Sequence, residues 1–490
     1  MSKRTLPVRT LARIAIAAVS LSSLAILSAC GALGTGPAYE RPAIDVPASI
    51  GMLQSASPSD SVDLLVWWKG FHDPVLDALL EEATHSSQDL ALASARVDEA
   101  RATLDQNKAN LFPTVDLNAS AARKQISPNA FGYISSVAPV YDDRMIGLSA
   151  SYEIDFWGKY AKADDAARAR LLGQAATRAT VLTTLYANVA QSYFALRAFD
   201  AQTLLAEQTL ATRQENVRLQ KRRLEAGVIG QIDYSQAESE AASVQATLQA
   251  ARQNRANAES ALAVLIGRKP ADILKPVVQR GETLESLYAH QSIPANLPAD
   301  LISRRPDIVA AEQNLIAANA DIGQARSAYF PKISITAGIG QESSDMANLF
   351  DPTSMIWNFI GNLAQPVFRA GAIGALVAAS NARQQQALAQ YTQSVQNAFR
   401  DVHDAMTNVD AGKDIATTTK LRIDSLRKTL RLSELRYKSG YSGYLEVLSA
   451  QRDLTQAQAG LVDAQRIQLV ALVSLYKSVG GGWDYAQLKP

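Results

Sequence analysis

One cysteine in 490 residues leaves no partner for an internal disulfide. The four histidines, His72, His85, His290 and His403, are scattered, with no HExxH and no cysteine pair, so neither a metal site nor a nucleophilic centre is expected. Nor do the six methionines cluster in a way that would argue for soft-metal cargo. Aromatic residues make up only 7%. With Ala and Gln abundant, that favours close-packed helices over aromatic-rich sandwiches. Charge of one sign is also missing. The formal balance is +1, and removing residues 1–29, which carry Lys3, Arg4, Arg9 and Arg13 but no acid, leaves 44 basic against 47 acidic side chains. Such a surface does not call for nucleic acid. No segment reaches 18 consecutive apolar residues, so no transmembrane helix is expected. No catalytic constellation or cofactor motif emerges, and the chain does not read as an enzyme.

Proline is absent from residues 140–269 and 367–489. Inside a helix it costs about 3 kcal/mol or more, so those stretches read as the long helices. Lys159 to Glu225 and Gly371 to Tyr437 are two such rods of nearly equal length. A helix of that size, roughly 100 Å at 1.5 Å per residue, must lie beside others in a coiled coil or helical barrel. Shorter helices are predicted over about 75–110, 231–266, 306–328 and 444–478.

Four stretches follow a period of two. Val115, Leu117, Ala119 and Ala121 alternate with Thr114, Asp116, Asn118 and Ser120, while Ile146, Leu148, Ala150, Tyr152 and Ile154 alternate with Gly147, Ser149, Ser151 and Glu153. Later, Ile333, Ile335, Ala337 and Ile339 oppose Lys332, Ser334, Thr336 and Gly338, and Trp357, Phe359, Gly361 and Leu363 oppose Asn358, Ile360, Asn362 and Ala364. Strands are predicted over about 114–124, 144–154, 332–340 and 356–365. Any one of them alone fits a half-solvated soluble hairpin. Four together, each near the length that crosses hydrocarbon at a tilt, predict a membrane β-barrel.

The amino terminus adds a compartment. Basic residues precede Ile14 to Leu27, 14 residues that are too short to span a bilayer and have the build of a secretory core. Leu27-Ser28-Ala29-Cys30 follows and is similar to a bacterial lipobox, which implies cleavage and lipidation at Cys30. Several acyl chains give lasting anchorage. Gly31 stands where an Asp would resemble an inner-membrane retention signal, so the outer membrane of a Gram-negative cell is expected.

The second half of the chain repeats the first. Phe112-Pro113 and Phe330-Pro331 each mark a helix-to-strand switch, 218 residues apart, while Gly227 and Gly440, Gly230 and Gly443, and Gly267 and Gly480 are 213 apart. The expected organisation is a signal peptide over 1–29, a lipidated segment and irregular wrap over 30–73, a first repeat over 74–267, a linker over 268–303, a second repeat over 304–480 and a tail over 481–490. In each repeat the order is helix, strand, strand, long helix, turn, helix. Helices 75–110 and 231–266, end to end, match the 67-residue rod and give each half two columns. Four strands cannot close a barrel, and hydrocarbon does not tolerate an open sheet edge. Two copies would give eight strands with a filled interior, whereas three give twelve and an aqueous lumen. The predicted fold class is mainly α with a membrane β-barrel, a homotrimer with a twelve-stranded barrel continuing into a twelve-column helical barrel.

The run LPADLISRRPDIVAAEQNLIAANADIGQARSAYFPKIS from Leu297, with WWKGFHDPVLDALL from Trp67, resembles the outer-membrane factors of tripartite efflux pumps, nearest the NodT-like lipoprotein branch of the TolC-like proteins. The resemblance covers essentially the whole mature chain. It implies a passive exit duct that receives cargo from a periplasmic adaptor (membrane fusion protein) and an inner-membrane pump of the resistance-nodulation-division class. It also implies that adaptor hairpins dock at the two helix reversals, against Arg223, Gly227, Arg436 and Gly440. Gly230 and Gly443 complete those turns. Acids just past them, Asp233 and Glu446, are candidates for a periplasmic gate, and three carboxylates about 6 Å apart repel by roughly 3 kcal/mol per pair at an effective dielectric near 20. A second acid often found three residues after Glu446 is Ser449 here, which puts a double ring in doubt. Without a ligand, Pro306 after Arg304-Arg305 reads as a helix start, not a phosphate site. A type I protein-secretion duct, a structural coiled-coil lipoprotein and a periplasmic adaptor are the other readings.

Overall fold

Helix and strand divide where proline and the residue period separate them. The computed structural model describes residues 36–44, 63–127, 129, 139–275, 277–289, 304–484 and 486. After a 3₁₀ turn at Leu64–Phe71 come α1 (Pro74–Ser86), α2 (Gln88–Ala109), β1 (Thr114–Gln125), β2 (Val140–Ile154), α3 (Lys159–Glu225), α4 (Gln231–Leu265), α5 (Pro270–Ile273) and α6 (Leu284–Ala289). The second half supplies α7 (Pro306–Ser327), β3 (Lys332–Ser343), β4 (Met355–Ala364), α8 (Ala372–Lys438) and α9 (Tyr444–Ser478). Among the described residues no helix is long and apolar enough to cross a membrane.

The internal repeat is visible in the element lengths. Strands β1 and β3 have 12 residues each and start 218 positions apart. Helices α3 and α8 have 67 residues each and start 213 apart, as do the 35-residue α4 and α9. From strand start to long-helix start is 45 residues in the first half, 114 to 159, and 40 in the second, 332 to 372. The hairpins therefore absorb the whole difference in spacing.

Contacts divide the chain into two units, residues 1–42, 99–171 and 313–389, and residues 43–98, 172–312 and 390–490. In the first, the strands form one antiparallel meander in the order β1-β2-β3-β4. Its register gathers most apolar residues on one face and most polar residues on the other. Val115 lies opposite Ala150, Ala150 opposite Ala337, and Ala337 opposite Phe359; the next such row is Leu117, Leu148, Ile339 and Trp357. Between them runs Asp116, Ser149, Gly338 and Asn358. A slip of one residue at any ladder would mix the faces, which is why the register is strongly specified. Polar-face side chains bond across strands, Thr114 Oγ1 to Ser151 Oγ at 2.8 Å and Asn118 Nδ2 donating to Ser149 Oγ at 2.8 Å. Apolar-face residues such as Leu117, Trp357, Phe359 and Leu363 stay exposed. On the polar face Gly147 sits opposite Gly340, and a Cβ at 340 would lie 2.6 Å from the Ile146 carbonyl oxygen. Paired glycines at a close backbone approach permit sharp sheet curvature.

The second unit has an aromatic and buried-polar core. Trp67 stacks on Tyr476 at 5.2 Å and Phe71 meets Phe194 at 5.0 Å. Buried Asp73 caps α1 through the Val75 and Leu76 amides, and its other oxygen accepts from Tyr193 at 2.6 Å and from the Glu282 amide at 3.0 Å. Burial, and then the Asp73 carboxylate, hold the Tyr193 hydroxyl well above its usual range. Arg305 is buried too: it bonds Asp307 and Asp401 and donates to the Ser478 carbonyl at the end of α9. The Arg304-Arg305-Pro306 run is thus a helix start joined to a helix end.

Several expectations need correction. The helix expected over 75–110 is two helices, broken at Ser87, whose ψ of 126° is extended. The cause is the first repeat's own terminus. Gly267, at φ +76°, brings its backbone so close that a Cβ there would lie 2.1 Å from the Ser86 carbonyl oxygen. Strand β2 begins at Val140, not 144, and β3 runs to Ser343, not 340. The 268–303 linker contains the short helices α5 and α6.

Gly267→Ala is expected to lower stability by more than about 1 kcal/mol, because the new Cβ is disfavoured both by φ and by Ser86. Gly230→Ala, at φ −83° with open space around it, should be near neutral. Loss of helical circular dichroism with denaturant measures both.

Candidate functional site: two helix reversals and the network behind them

Each long helix ends in the same hydrogen-bonded turn. At the first, the Gly227 amide donates to Leu224 and the Val228 amide to Arg223, both at 2.9 Å. At the second, Gly440 donates to Tyr437 at 3.0 Å and Tyr441 to Arg436 at 2.9 Å. These are Schellman closures, which need a left-handed residue after the helix. Gly227 and Gly440 supply it, with φ of +67° and +77°. Gly230 and Gly443 are the N-caps of α4 and α9, both in extended conformation. Behind both turns the next helix starts with an acid, Asp233 or Glu446, in its first turn, where the helix dipole favours a carboxylate.

The matching arginines have unlike surroundings. Arg223 donates to the Tyr437 hydroxyl at 2.8 Å with its guanidinium 5.0 Å from that ring's centre, tying the first reversal to the second. Arg436 is exposed and pairs with Glu446 at 3.6 Å. Glu446 is therefore not an isolated carboxylate within its own chain. Apolar residues repeat at the turns as well. Val228 and Tyr441 follow the left-handed glycines, Ile232 and Leu445 open the next helices, and all four are exposed.

Behind the turns lies a set of residues that the sequence reading missed. Glu240 on α4 is buried, accepting from Arg452 of α9 at 2.7 Å and lying 3.7 Å from Arg213 of α3. Arg213 also bonds Gln451, and Asn216 bonds the Tyr444 hydroxyl. Burial pulls the Arg213 guanidinium below its usual range, and the nearby Glu240 carboxylate opposes that shift. The Tyr444 ring packs with Ala237, Val447 and Leu448. Asymmetry was the available signal, since the positions 213 away from Arg213, Arg452 and Tyr444 are Leu426, Ser239 and Gln231. Where two copies of a repeat differ in charge, they touch each other and not their own likeness.

The strand-side markers fall where helix turns to strand. Pro113 and Pro331 precede β1 and β3 by one residue. Trp157 donates to the Pro331 carbonyl at 2.7 Å and stacks on Phe330 at 4.7 Å. Cys30 lies outside the described residues. Among the described residues no three His, Cys, Asp or Glu side chains come together as a metal site would require.

A sheet with one apolar and one polar face, and paired long helices ending in twin reversals, has counterparts elsewhere. The profile of the outer membrane efflux protein family matches residues 79–268 and 297–481. The chain belongs to that family. It is 33% identical over 471 residues to the cation efflux system protein CusC of Escherichia coli, covering 95% of this chain and 100% of that one. It is likewise 33% identical over 473 residues to the toluene efflux pump outer membrane protein TtgC of Pseudomonas putida, covering 95% and 96%. In three dimensions it matches a crystal structure of CusC with a TM-score of 0.81, at 32% identity and over 91% and 99% of the two chains. The open state of the Neisseria gonorrhoeae MtrE outer membrane channel matches with a TM-score of 0.78, at 31% identity and over 91% and 98%. This outer membrane efflux protein is thus an efflux channel of the outer membrane.

Removing Glu240 leaves Arg213 buried without its carboxylate, so Glu240→Ala should cost about 3 kcal/mol or more. Glu446→Ala breaks only an exposed pair, worth under about 1 kcal/mol. Denaturant melts of the two variants, with trypsin nicking near 213–240 as a second readout, are expected to keep that order.

Proposed function

We propose that three copies of the chain join as a homotrimer, their sheets closing into a twelve-stranded β-barrel and their long helices into a twelve-column tunnel. The observation that carries this is the sheet itself. Its strands span 10 to 15 residues, one face is apolar and exposed, and β1 and β4 each keep an unpaired edge among the described residues. Hydrocarbon around such an edge is unfavourable by several kcal/mol for each bare backbone group, and pairing β4 of one copy with β1 of the next removes the cost. A four-strand meander places those edges antiparallel, as a closed barrel requires.

In this reading Cys30 carries the acyl chains, and the trimer is the exit duct of a tripartite pump, receiving cargo through a periplasmic adaptor from an inner-membrane pump of the resistance-nodulation-division class. The adaptor docks at the two reversals. The exposed Val228, Ile232, Tyr441 and Leu445 give it an apolar contact repeated twice per chain, with Gly227, Gly230, Gly440 and Gly443 fixing the backbone. Arg436 is open to it, whereas Arg223 is engaged with Tyr437 and acts by holding the two tips together. Glu446 supplies a ring of three acids at the periplasmic entrance, each tempered by its own Arg436, and half-buried Asp233 stands further from that role. The duct itself is passive. Relatives named for cations and for toluene share nearly its full length, so cargo class belongs to the pump.

Detergent-extracted protein should form ion-conducting channels in planar bilayers, and Glu446→Gln should reduce cation selectivity. Absence of conductance counts against the duct; an unchanged selectivity removes Glu446 from the gate.

A further inference from the structure

A cavity of about 480 Å³ opens where the strands become helices, bounded by the base of β2 and β3, the end of α7 and the first turns of α3 and α8. It lies within a single unit of the chain. Its size falls in the range of small-molecule sites. Trp157, Phe330, Pro331 and Leu376 give it an apolar wall.

Its charges are unevenly satisfied. Glu153 accepts from Lys159 and Tyr160 at 3.0 Å each, Asp321 is paired with Arg170 at 2.5 Å, and Asp155 accepts the Ala161 amide at 2.7 Å. Every carboxylate in the wall thus has a donor. The two remaining cations, Lys332 and Arg383, are exposed; Lys332 acts on the Glu153 carboxylate only at a distance, and neither makes a hydrogen bond or ion pair with any described residue. An apolar wall beside two exposed cations that lack a hydrogen-bonded partner suits a molecule with an acidic head and a greasy body.

The cavity also faces the polar side of the sheet. Glu153 and Lys332 lie on that side in the strand register. On α7, Asp321 and Ala325 line the cavity, while Asn319 and Gly323 each lie about 160° around the helix from Asp321; Ser327, at the edge of the cavity, is one turn beyond Gly323. There they hold the amino-terminal segment, Asn319 donating to the Pro37 carbonyl at 2.9 Å and Gly323 touching Gly36. That segment, only six residues after Cys30, belongs on the outside of a lipid-anchored barrel. With the apolar face of the sheet turned outward to lipid, the polar side that the cavity borders is the lumenal one.

We infer that this cavity is a lumenal binding site for an anionic amphiphile, with a carboxylate or sulfonate head on Lys332 and Arg383 and the tail along Trp157, Phe330 and Leu376. Under the trimeric reading, on which it rests, three copies ring the lumen at one level. Cargo of this class would pause there before entering the barrel.

The test uses the full-length trimer in planar bilayers, with decanesulfonate or decyltrimethylammonium added below micellar concentration. Decanesulfonate is expected to reduce the conductance at a concentration about tenfold lower than decyltrimethylammonium, roughly the value of one charge-assisted hydrogen bond. Both side chains are exposed, so K332Q/R383Q should assemble and conduct while losing that preference; Leu376→Gln should weaken the block and keep its sign. Conducting channels that respond equally to both probes, or a double variant blocked like the parent, overturn the site and leave the duct standing. A preparation that never conducts overturns both.

Discussion

Backbone groups in hydrocarbon need partners, and this chain cannot supply all of its own. The meander β1-β2-β3-β4 pairs its inner edges and, among the described residues, leaves the outer edges of β1 and β4 open. In water such edges are an aggregation hazard, and in lipid they are untenable. The trimer proposed above turns that deficit into a design, because the open edges of β1 and β4 are complementary between copies. The same duplication that doubled the hairpins also doubled the long helices. The glycine pair at 147 and 340 fits the same demand, because a closing sheet has to bend toward its polar face and a Cβ at either site would meet backbone.

Duplication gives this protein its symmetry, and departures from it give the protein its specificity. The equal lengths of α3 and α8, and of α4 and α9, are its plainest trace. Yet the contacts between hairpins are made by residues without a counterpart: Arg213, Tyr444 and Arg452 in place of Leu426, Gln231 and Ser239. Arg223 and Arg436 show the same thing within one matched pair. The first is bonded to the other hairpin's Tyr437, and the second faces Glu446 of its own hairpin. The two reversals are thus tied to each other through Arg223 and Tyr437, and only Arg436 with Glu446 stays on the exposed side.

Much of the fold could be read from the residues because the relevant signals are local. Helical spacing within the proline-free stretches put the bounds of α3 and α8 within a residue or so, and the period of two placed the residues of the predicted strands on the faces they occupy. The positive φ at Gly227 and Gly440 followed from a helix that must reverse. What escaped was non-local. The break at Ser87 packs against Gly267, 180 positions later, and that contact could not be read from residues 75–110. The buried Glu240 and Arg213 look like ordinary solvent-facing helix residues until α9 is laid across them. The cavity beside Lys332 and Arg383 needs five separate elements to exist at all.

The central claim is that one chain holds a third of a closed cylinder. Mass measurement of the particle extracted from the outer membrane in non-ionic detergent, by native mass spectrometry after detergent removal, tests it most directly. Three polypeptides of the processed chain, each carrying added acyl mass at its amino terminus, are the result predicted. A single polypeptide that stays monodisperse in detergent-free buffer and carries no lipid would contradict it.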